Sequence, residues 1–179
     1  TARFAHHYVR IRPGTDIPLV WGILWHIFEN GWEDREYIER RTYGMDEVRK
    51  EVAKWTPDKV SNVTGVPEAT VKQAAEMLAM NRPSSVVWCM GITQHHVGTA
   101  NVRALSILQL ALGNIGIAGG GANIYRGHDN VQGATDVGPN PDSLPGYYGL
   151  AEGAWKYFAR VWDVDYQWLQ QRFGSKALM

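Results

Sequence analysis

Apolar residues recur at helical spacing through the first half of the chain. Positions 17–28 are apolar almost all round, which predicts a helix that is buried on every side. Pro18 lies in the first turn of this helix and Asn30-Gly31 follows its end, as is common at helix termini. Four amphipathic patterns predict further helices at 33–40, 45–54, 57–64 and 67–80.

The hydrophobic pattern then changes from helical to strand-like. Positions 85–89 form a continuous apolar run of strand length, which is typical of a buried parallel strand. Short strands are predicted at 8–11 and 122–125, and a helix at 100–112 lies between the last two strands. Alternating helices and strands predict an α/β fold, a partial Rossmann-like parallel sheet with flanking helices.

The chain changes character after residue 126. Positions 129–148 are rich in Gly, Pro, Asn and Asp and predict a long irregular segment, which is usually functional or linking. Helical patterns return at 151–161 and 166–173. We therefore predict a domain boundary near 127–130.

Composition narrows the functional classes. The 179 residues include 18 Lys and Arg against 18 Asp and Glu, and this balance argues against nucleic acid as a ligand. A single cysteine excludes a disulfide framework or a multi-cysteine metal cluster built from this chain alone. The longest apolar run is too short for a membrane span. No zinc-binding spacing is present, so no metal ligand is assigned.

Three segments follow predicted strands, at 12–16, 90–99 and 126–130. Ligands of parallel sheets bind outside the carboxyl ends of the strands, so these segments are predicted to share one crevice if the strands are adjacent. Gly14 and Gly91 would allow close backbone approach to a phosphate-bearing ligand, and Asp16 could accept hydrogen bonds from an amino-substituted base such as guanine. The alternative is that Asp16 is only a helix N-cap and Gly91 only a turn residue.

Several motifs carry a family resemblance. Met90-Gly-Ile-Thr-Gln94, Gly113-Asn-Ile-Gly116 and Arg126-Gly-His-Asp-Asn-Val-Gln-Gly-Ala-Thr-Asp-Val-Gly138 resemble the catalytic (alpha) subunit of molybdenum- or tungsten-dependent formate dehydrogenases. These enzymes belong to the dimethyl-sulfoxide-reductase family. Arg12-Pro-Gly-Thr-Asp16 is a weaker match. The resemblance runs in order along nearly the whole chain.

The resemblance implies an internal fragment of a longer subunit. Residues 1–128 would be the later part of a dinucleotide-binding-like domain that holds molybdopterin guanine dinucleotide. Residues 129–179 would be a Gly/Pro-rich active-site loop and the first helices of a second α/β domain. The implied cofactor is bis(molybdopterin guanine dinucleotide) with molybdenum or tungsten. The implied reaction is oxidation of formate to CO2, with two electrons passed to iron–sulfur clusters.

The resemblance also implies roles for individual residues. Asp16 would meet a guanine, and Arg126 would hold formate near the metal, with His128 beside the substrate. The remaining implied residues line the pterins or their phosphates: Met90, Gly91, Thr93 and Gln94 in one segment, and Asn130, Gln132, Gly133 and Asp136 in the other.

Alternatives remain for both predicted catalytic residues. A guanidinium binds a carboxylate through two parallel hydrogen bonds and keeps its charge, which suits Arg126 to formate. Arg126 could instead form a structural salt bridge with Asp129 or Asp136. His128 could be an ordinary loop histidine. Cys89 has no adjacent histidine, unlike the family's metal-ligating cysteine or selenocysteine, so it is not assigned as the ligand.

The resemblance also indicates what lies elsewhere. The metal-ligating residue and the Cys-rich segment for a [4Fe–4S] cluster are not in this sequence, so the fragment alone is expected to be inactive. Expected partners are the rest of the catalytic subunit and iron–sulfur and cytochrome or flavin subunits. The compartment stays open between periplasmic, membrane-associated through partners, and cytoplasmic. Two other functions remain: a nitrate or other oxyanion reductase of the same family, and a noncatalytic α/β binding module.

Overall fold

The computed structural model describes residues 2–138 and 143–173. The chain forms two compact units that divide between Tyr125 and Arg126. In the first unit the elements after a 3-10 turn, Ala2–Phe4, are α1 Asp16–Glu29, α2 Arg35–Arg41, α3 Met45–Val52, α4 Pro57–Thr64, α5 Glu68–Met80, β1 Ser85–Trp88, α6 Met90–Thr93, α7 Gly98–Ala111 and β2 Gly121–Ile124.

Helix α1 is the centre of the first unit. It packs against α3, α4, α5 and α7, and its apolar side chains Leu24 and Ile27 are fully buried. Gly22 permits this close packing, because a Cβ there would lie 2.6 Å from Cγ1 of Val60 in α4. The prediction of a buried helix at 17–28 is therefore confirmed, with one more residue at each end.

The sheet of the described chain has two parallel strands. Ser85 of β1 pairs with Gly121 of β2, and the register continues to Trp88 with Ile124. The predicted α/β class with a partial parallel sheet and flanking helices is confirmed. The prediction of a strand at 8–11 is wrong. Within the described residues, β1 and β2 pair only with each other, and no strand pairs with this segment.

A buried amide network ties α7 to both strands. Gln109 Nε2 donates to the carbonyl oxygen of Ser84 at 3.0 Å and to that of Gly121 at 2.6 Å. Asn114 Nδ2 donates to Gln109 Oε1 at 2.8 Å and to Ser84 Oγ at 3.0 Å. Both amides are fully buried, so these bonds are shielded from water and hold the sheet on the helix. This gives the predicted family motif at 113–116 a structural role.

The burial predicted for strand 85–89 is only half right. Trp88 is buried, but the side chain of Val87 is 50% exposed. A two-stranded sheet leaves both strands at an edge, so an apolar run here does not guarantee burial.

The second unit contains α8 Val131–Val137, a 3-10 turn Pro145–Tyr147, α9 Glu152–Val161 and α10 Tyr166–Phe173. The prediction of an irregular segment at 129–148 is wrong where α8 forms. Asn130 accepts a hydrogen bond at the start of this helix and Gly138 ends it with a φ of 100°, so caps define it despite its Gly content.

The structure leaves the predicted domain assignments untested. Positions 139–142 and 174–179 of the predicted second segment lie outside the described residues. The assignment of 1–128 and 129–179 to two domains of a longer protein stays a prediction. Among the helices that the structure describes, none has the length and apolarity needed to cross a bilayer.

Candidate cofactor and substrate sites

Asp16 is the first residue of α1 and follows a turn at 12–15. Arg12 donates through its guanidinium to carbonyl oxygens at the end of α4, and the Thr15 hydroxyl donates to the Arg12 carbonyl oxygen at 2.7 Å. Thr15 is the N-cap residue and Asp16 is the first residue of the helix. A role of Asp16 toward a guanine stays a prediction. The Asp16 side chain is half-buried and has no hydrogen bond to the part of the chain that the structure describes.

The predicted cofactor segment Met90–Gln94 follows the carboxyl end of β1 directly. It forms the short helix α6 rather than an open loop, and the Gln94 amide closes it on the Met90 carbonyl oxygen at 2.9 Å. Gly91 is exposed with open space where a Cβ would stand. The exposed side chains of Thr93 and Gln94 form no hydrogen bond within residues 2–138 and 143–173, so they are available to a ligand.

Two residues of α7, Asn101 and Gly98, contact the backbone of this segment. Asn101 is buried and its Nδ2 donates to the Ile92 carbonyl oxygen at 3.0 Å. Gly98 lies so close to α6 that a Cβ there would clash with the Thr93 carbonyl oxygen. No sequence pattern distinguishes Gly98 and Asn101, because a glycine and an asparagine at a helix start resemble ordinary capping residues.

The donors around α6 fit a phosphate-bearing cofactor. Within the described residues, the backbone amides of Met90, Gly91 and Thr99 have no backbone acceptor. Free amides at helix starts are suited to anionic phosphate oxygens, and the small Gly91 lets a ligand approach the backbone. The residues present therefore match the chemistry predicted for this segment.

Arg126 begins the second unit and its side chain is exposed. Its Nη1 donates to Thr135 Oγ1 at 3.3 Å, and Thr135 in turn donates to the Val131 carbonyl oxygen at 2.9 Å. Among the described side chains, no carboxylate lies within 4.0 Å of the Arg126 guanidinium. The alternative salt bridge to Asp129 or Asp136 is not formed, and no carboxylate of residues 2–138 or 143–173 compensates this cation at close range.

Gln132 and Asp136 meet at one tyrosine. Gln132 Nε2 donates to the Tyr147 hydroxyl at 3.0 Å, and that hydroxyl donates to Asp136 Oδ1 at 2.5 Å. The hydrogen bond to Asp136 raises the pKa of Tyr147, while the nearby charge of Arg126 opposes this effect. Sequence analysis missed Tyr147, which lies in a Gly/Pro-rich stretch with no motif of its own.

The other predicted residues of the second unit have mainly local contacts. Asn130 Oδ1 accepts from the Gly133 amide at 3.3 Å, and a Cβ at Gly133 would lie 2.6 Å from the Asn130 side chain. His128 is exposed, and its side chain has no hydrogen bond to residues 2–138 or 143–173. A role for His128 beside a substrate stays a prediction.

Comparison with known proteins places these motifs in a family. The family model described as molybdopterin oxidoreductase matches residues 1–165. The chain belongs to the molybdopterin oxidoreductase family. Membership confirms the resemblance drawn from the motifs and implies a molybdopterin cofactor that carries molybdenum or tungsten.

Several relatives are named as formate dehydrogenases. Formate dehydrogenase H of Escherichia coli (strain K12) is 37% identical over 166 residues, which cover 92% of this chain and 23% of that protein. The F420-dependent formate dehydrogenase 2 subunit alpha of Methanococcus maripaludis is 36% identical over 164 residues, which cover 92% of this chain and 24% of that protein. The chain thus spans about a quarter of the length of these relatives.

A solved structure supports the fold. Acetylene hydratase from Pelobacter acetylenicus superimposes with a TM-score of 0.63 at 27% sequence identity, over 66% of this chain and 16% of that one. Within the described residues, no three His, Cys, Asp or Glu side chains are grouped to hold a metal ion. The expectation that this chain supplies no metal ligand stays a prediction.

Proposed function

We propose that this chain is part of a formate dehydrogenase catalytic subunit that oxidises formate to CO2 and releases two electrons. The proposed cofactor is bis(molybdopterin guanine dinucleotide), with a [4Fe–4S] cluster bound elsewhere in the subunit. The proposed partners are iron–sulfur and cytochrome or flavin subunits. The relatives named as formate dehydrogenases, two of them at 36–37% identity over most of this chain, support the assignment.

The guanidinium of Arg126, which no described carboxylate pairs with, is the observation that carries this proposal. Formate is a small carboxylate, and an arginine binds a carboxylate through two parallel charge-assisted hydrogen bonds. Arg126 has one weak partner, Thr135, and no carboxylate within 4.0 Å among the described residues. Two parallel bonds would fix the orientation of the substrate, and CO2 has no charge, so the product would be held less tightly.

The first unit would contribute to binding of the cofactor. Asp16 would accept hydrogen bonds from a guanine, and the amides of Met90 and Gly91 would bind phosphate oxygens, with Thr93 and Gln94 as polar neighbours. In the second unit, Asn130, Gln132, Gly133 and Asp136 would line the path of the pterins. When bound, the cofactor supplies the two-electron acceptor.

The fold alone does not decide the reaction. A neighbour in structure is named as a hydratase, so this architecture serves more than one chemistry. The choice of formate over nitrate or another oxyanion therefore rests on the named relatives, since a guanidinium could bind either anion. Family membership favours an enzyme over a noncatalytic binding module.

The proposal is tested on the complete subunit that contains this chain, purified with its cofactor. Metal analysis and nucleotide extraction should find molybdenum or tungsten with guanine nucleotide, and their absence would favour a binding module. Formate should reduce a viologen dye, whereas nitrate should not reoxidise the reduced dye. The opposite pattern of substrates would replace the formate assignment with an oxyanion reductase.

A further inference from the structure

Asp136 lies on the same helix as the side chain that holds Arg126. Asp136 is the neighbour of Thr135 in α8, and the Thr135 hydroxyl accepts the hydrogen bond of Arg126. The positive charge of Arg126 is close enough to affect the pKa of Tyr147, which contacts Asp136. A carboxylate beside a guanidinium commonly pairs with it, yet Asp136 forms no ion pair with Arg126. The structure instead directs Asp136 to Tyr147.

Tyr147 engages two residues of the same face of α8. Gln132 and Asp136 are four residues apart, which places them one above the other on a helix. The Tyr147 hydroxyl accepts from Gln132 at 3.0 Å and donates to Asp136 at 2.5 Å. Both roles of one hydroxyl group are used, so its orientation is defined.

The turn that contains Tyr147 is closed by a backbone hydrogen bond. Leu144 is buried, and its amide donates to the Tyr148 carbonyl oxygen at 2.6 Å, which closes the turn that contains Tyr147. The ring of Tyr148 stacks on Tyr157 of α9 with centroids 5.6 Å apart. The turn gives Tyr147 a φ of 61°, a left-handed conformation rare for an aromatic residue. The turn therefore fixes the backbone at Tyr147, while its phenol contacts α8 through Gln132 and Asp136.

We infer that Tyr147 is a positioning residue that engages the Asp136 carboxylate and so keeps the Arg126 guanidinium free for a carboxylate substrate. The inference rests on the proposed role of Arg126. Without the phenolic hydroxyl, Asp136 would lose the donor that engages it and would be able to turn toward Arg126. The ion pair would then compete with substrate. A phenol is already protonated at neutral pH, and the hydrogen bond to Asp136 raises the pKa of Tyr147 further, so the hydroxyl remains a donor.

The test is a double-mutant cycle in the complete, cofactor-loaded subunit. Tyr147→Phe removes only the hydroxyl and should raise KM for formate roughly 5- to 50-fold with kcat changed less than about twofold, the signature of a competing ion pair. In a subunit that carries Asp136→Asn, the same change should raise KM less than about twofold. An equal rise in both backgrounds would overturn the inference, because a purely structural role would not depend on the Asp136 charge.

A second readout does not depend on formate turnover. Phenylglyoxal modifies free guanidinium groups, and its rate at Arg126 can be followed by mass spectrometry in the cofactor-free subunit. Tyr147→Phe should slow the modification of Arg126. Adding Asp136→Asn to Tyr147→Phe should restore the wild-type rate. If the wild-type subunit fails to oxidise formate but this pattern holds, the proposed function fails while Tyr147 still controls Arg126. An unchanged or faster modification rate in Tyr147→Phe would overturn the inference.

Two further variants complete the design. Tyr148→Phe is the matched control, because the adjacent hydroxyl forms no hydrogen bond within the described residues, and it should leave KM unchanged. Tyr147→Gly removes the phenol and suits a positive φ, so it should fold even if Tyr147→Phe does not. Tyr147→Gly should raise KM as Tyr147→Phe does, and wild-type kinetics in Tyr147→Gly would overturn the inference.

Discussion

The two units hold their candidate residues in different ways. In the first unit, large apolar side chains are buried around α1, and buried groups of α7 fix the backbone of the candidate segment at 90–94. In the second unit, Arg126, Gln132 and Asp136 are exposed and held by hydrogen bonds to Thr135 and Tyr147. Substitutions under the first site should therefore appear as lost stability, whereas those in the second should appear as altered binding.

The ion pairs of the two units give the largest expected contrast. Glu33 in the first unit has a side chain only 1% exposed, and its Oε1 accepts from Arg49 and Arg35, each at 3.0 Å. Arg49→Met would leave a buried carboxylate with a single arginine partner and should lower the free energy of unfolding by about 2–4 kcal/mol. Lys156→Met breaks the exposed pair with Glu152 in the second unit and should cause no measurable change.

Urea unfolding of the complete subunit, with hydrogen exchange to locate the affected region, measures both variants. Equal losses for Arg49→Met and Lys156→Met would remove the distinction between the units.

The buried amides of the first unit come next in size. Asn114→Ala would leave the fully buried amide of Gln109 and the half-buried hydroxyl of Ser84 without their partner. We expect a loss of about 2–3 kcal/mol in stability, with faster amide exchange in β1 and α7. Asn123→Ala is a suitable control, because Asn123 is exposed on β2 of the same sheet. Slow exchange of β1 in the Asn114 variant would show that the network does not hold the sheet.

Alanine substitutions at Gly98, beside the candidate segment, and at Gly91, within it, should lower stability by different amounts. Gly98→Ala places a methyl group against the Thr93 carbonyl and should cost about 1–3 kcal/mol. Gly91→Ala meets open space within α6 and should change stability by less than about 1 kcal/mol. If Gly91 contacts a cofactor, its variant should nevertheless contain less bound molybdopterin, measured by fluorescence after extraction. Full cofactor content in Gly91→Ala would argue against that contact.

The smallest expected effect is a pH dependence carried by the core of the first unit. Burial lowers the pKa of His26 below its ordinary value of 6.5; the charge of Lys72 also lowers it and that of Glu68 partly opposes the shift. Since the unfolded chain then binds a proton more readily than the folded chain, stability is full above pH 6.5 and falls as the pH drops below it. His26→Leu should remove this loss of stability below pH 6.5.

Glu33 adds a second, more acidic contribution to this dependence. Burial opposes its ionisation, but hydrogen bonds from the backbone, Arg49 and Arg35 outweigh burial and lower its pKa below 4.5. Its contribution is present above pH 4.5 and is lost as the pH falls further. Unfolding measured from pH 7.5 to pH 4 separates the two groups, and an unchanged slope near pH 6 in His26→Leu would contradict the assignment to His26.

The sequence predicted the first unit better than the second, for a physical reason. Helix α1 comes from a long apolar run and β1 from a short one, and such runs predict regular structure directly. Helix α8 has no such pattern, since it is formed by the Asn130 cap and stabilised by contacts with a turn about ten residues later. The predicted strand at 8–11 failed because a strand depends on a neighbour that no local pattern reveals.

The candidate site shows the same limit. Motifs identified Arg126, Gln132 and Asp136, because their spacing is shared with a family. Tyr147 was missed, because its role depends on a turn that brings it back to α8. Family membership and the parallel α/β fold are confirmed, whereas the roles of the individual site residues stay predictions.

The central claim is that Arg126 binds the substrate carboxylate. It is tested most directly by formate saturation kinetics of the cofactor-loaded subunit carrying Arg126→Ala, beside Arg160→Ala as a matched loss of an exposed arginine in the same unit. We predict that kcat/KM for formate falls by roughly 10²-fold or more in Arg126→Ala, and stays within about twofold of wild type in Arg160→Ala. Unchanged formate turnover in Arg126→Ala, with full cofactor content, would contradict the account.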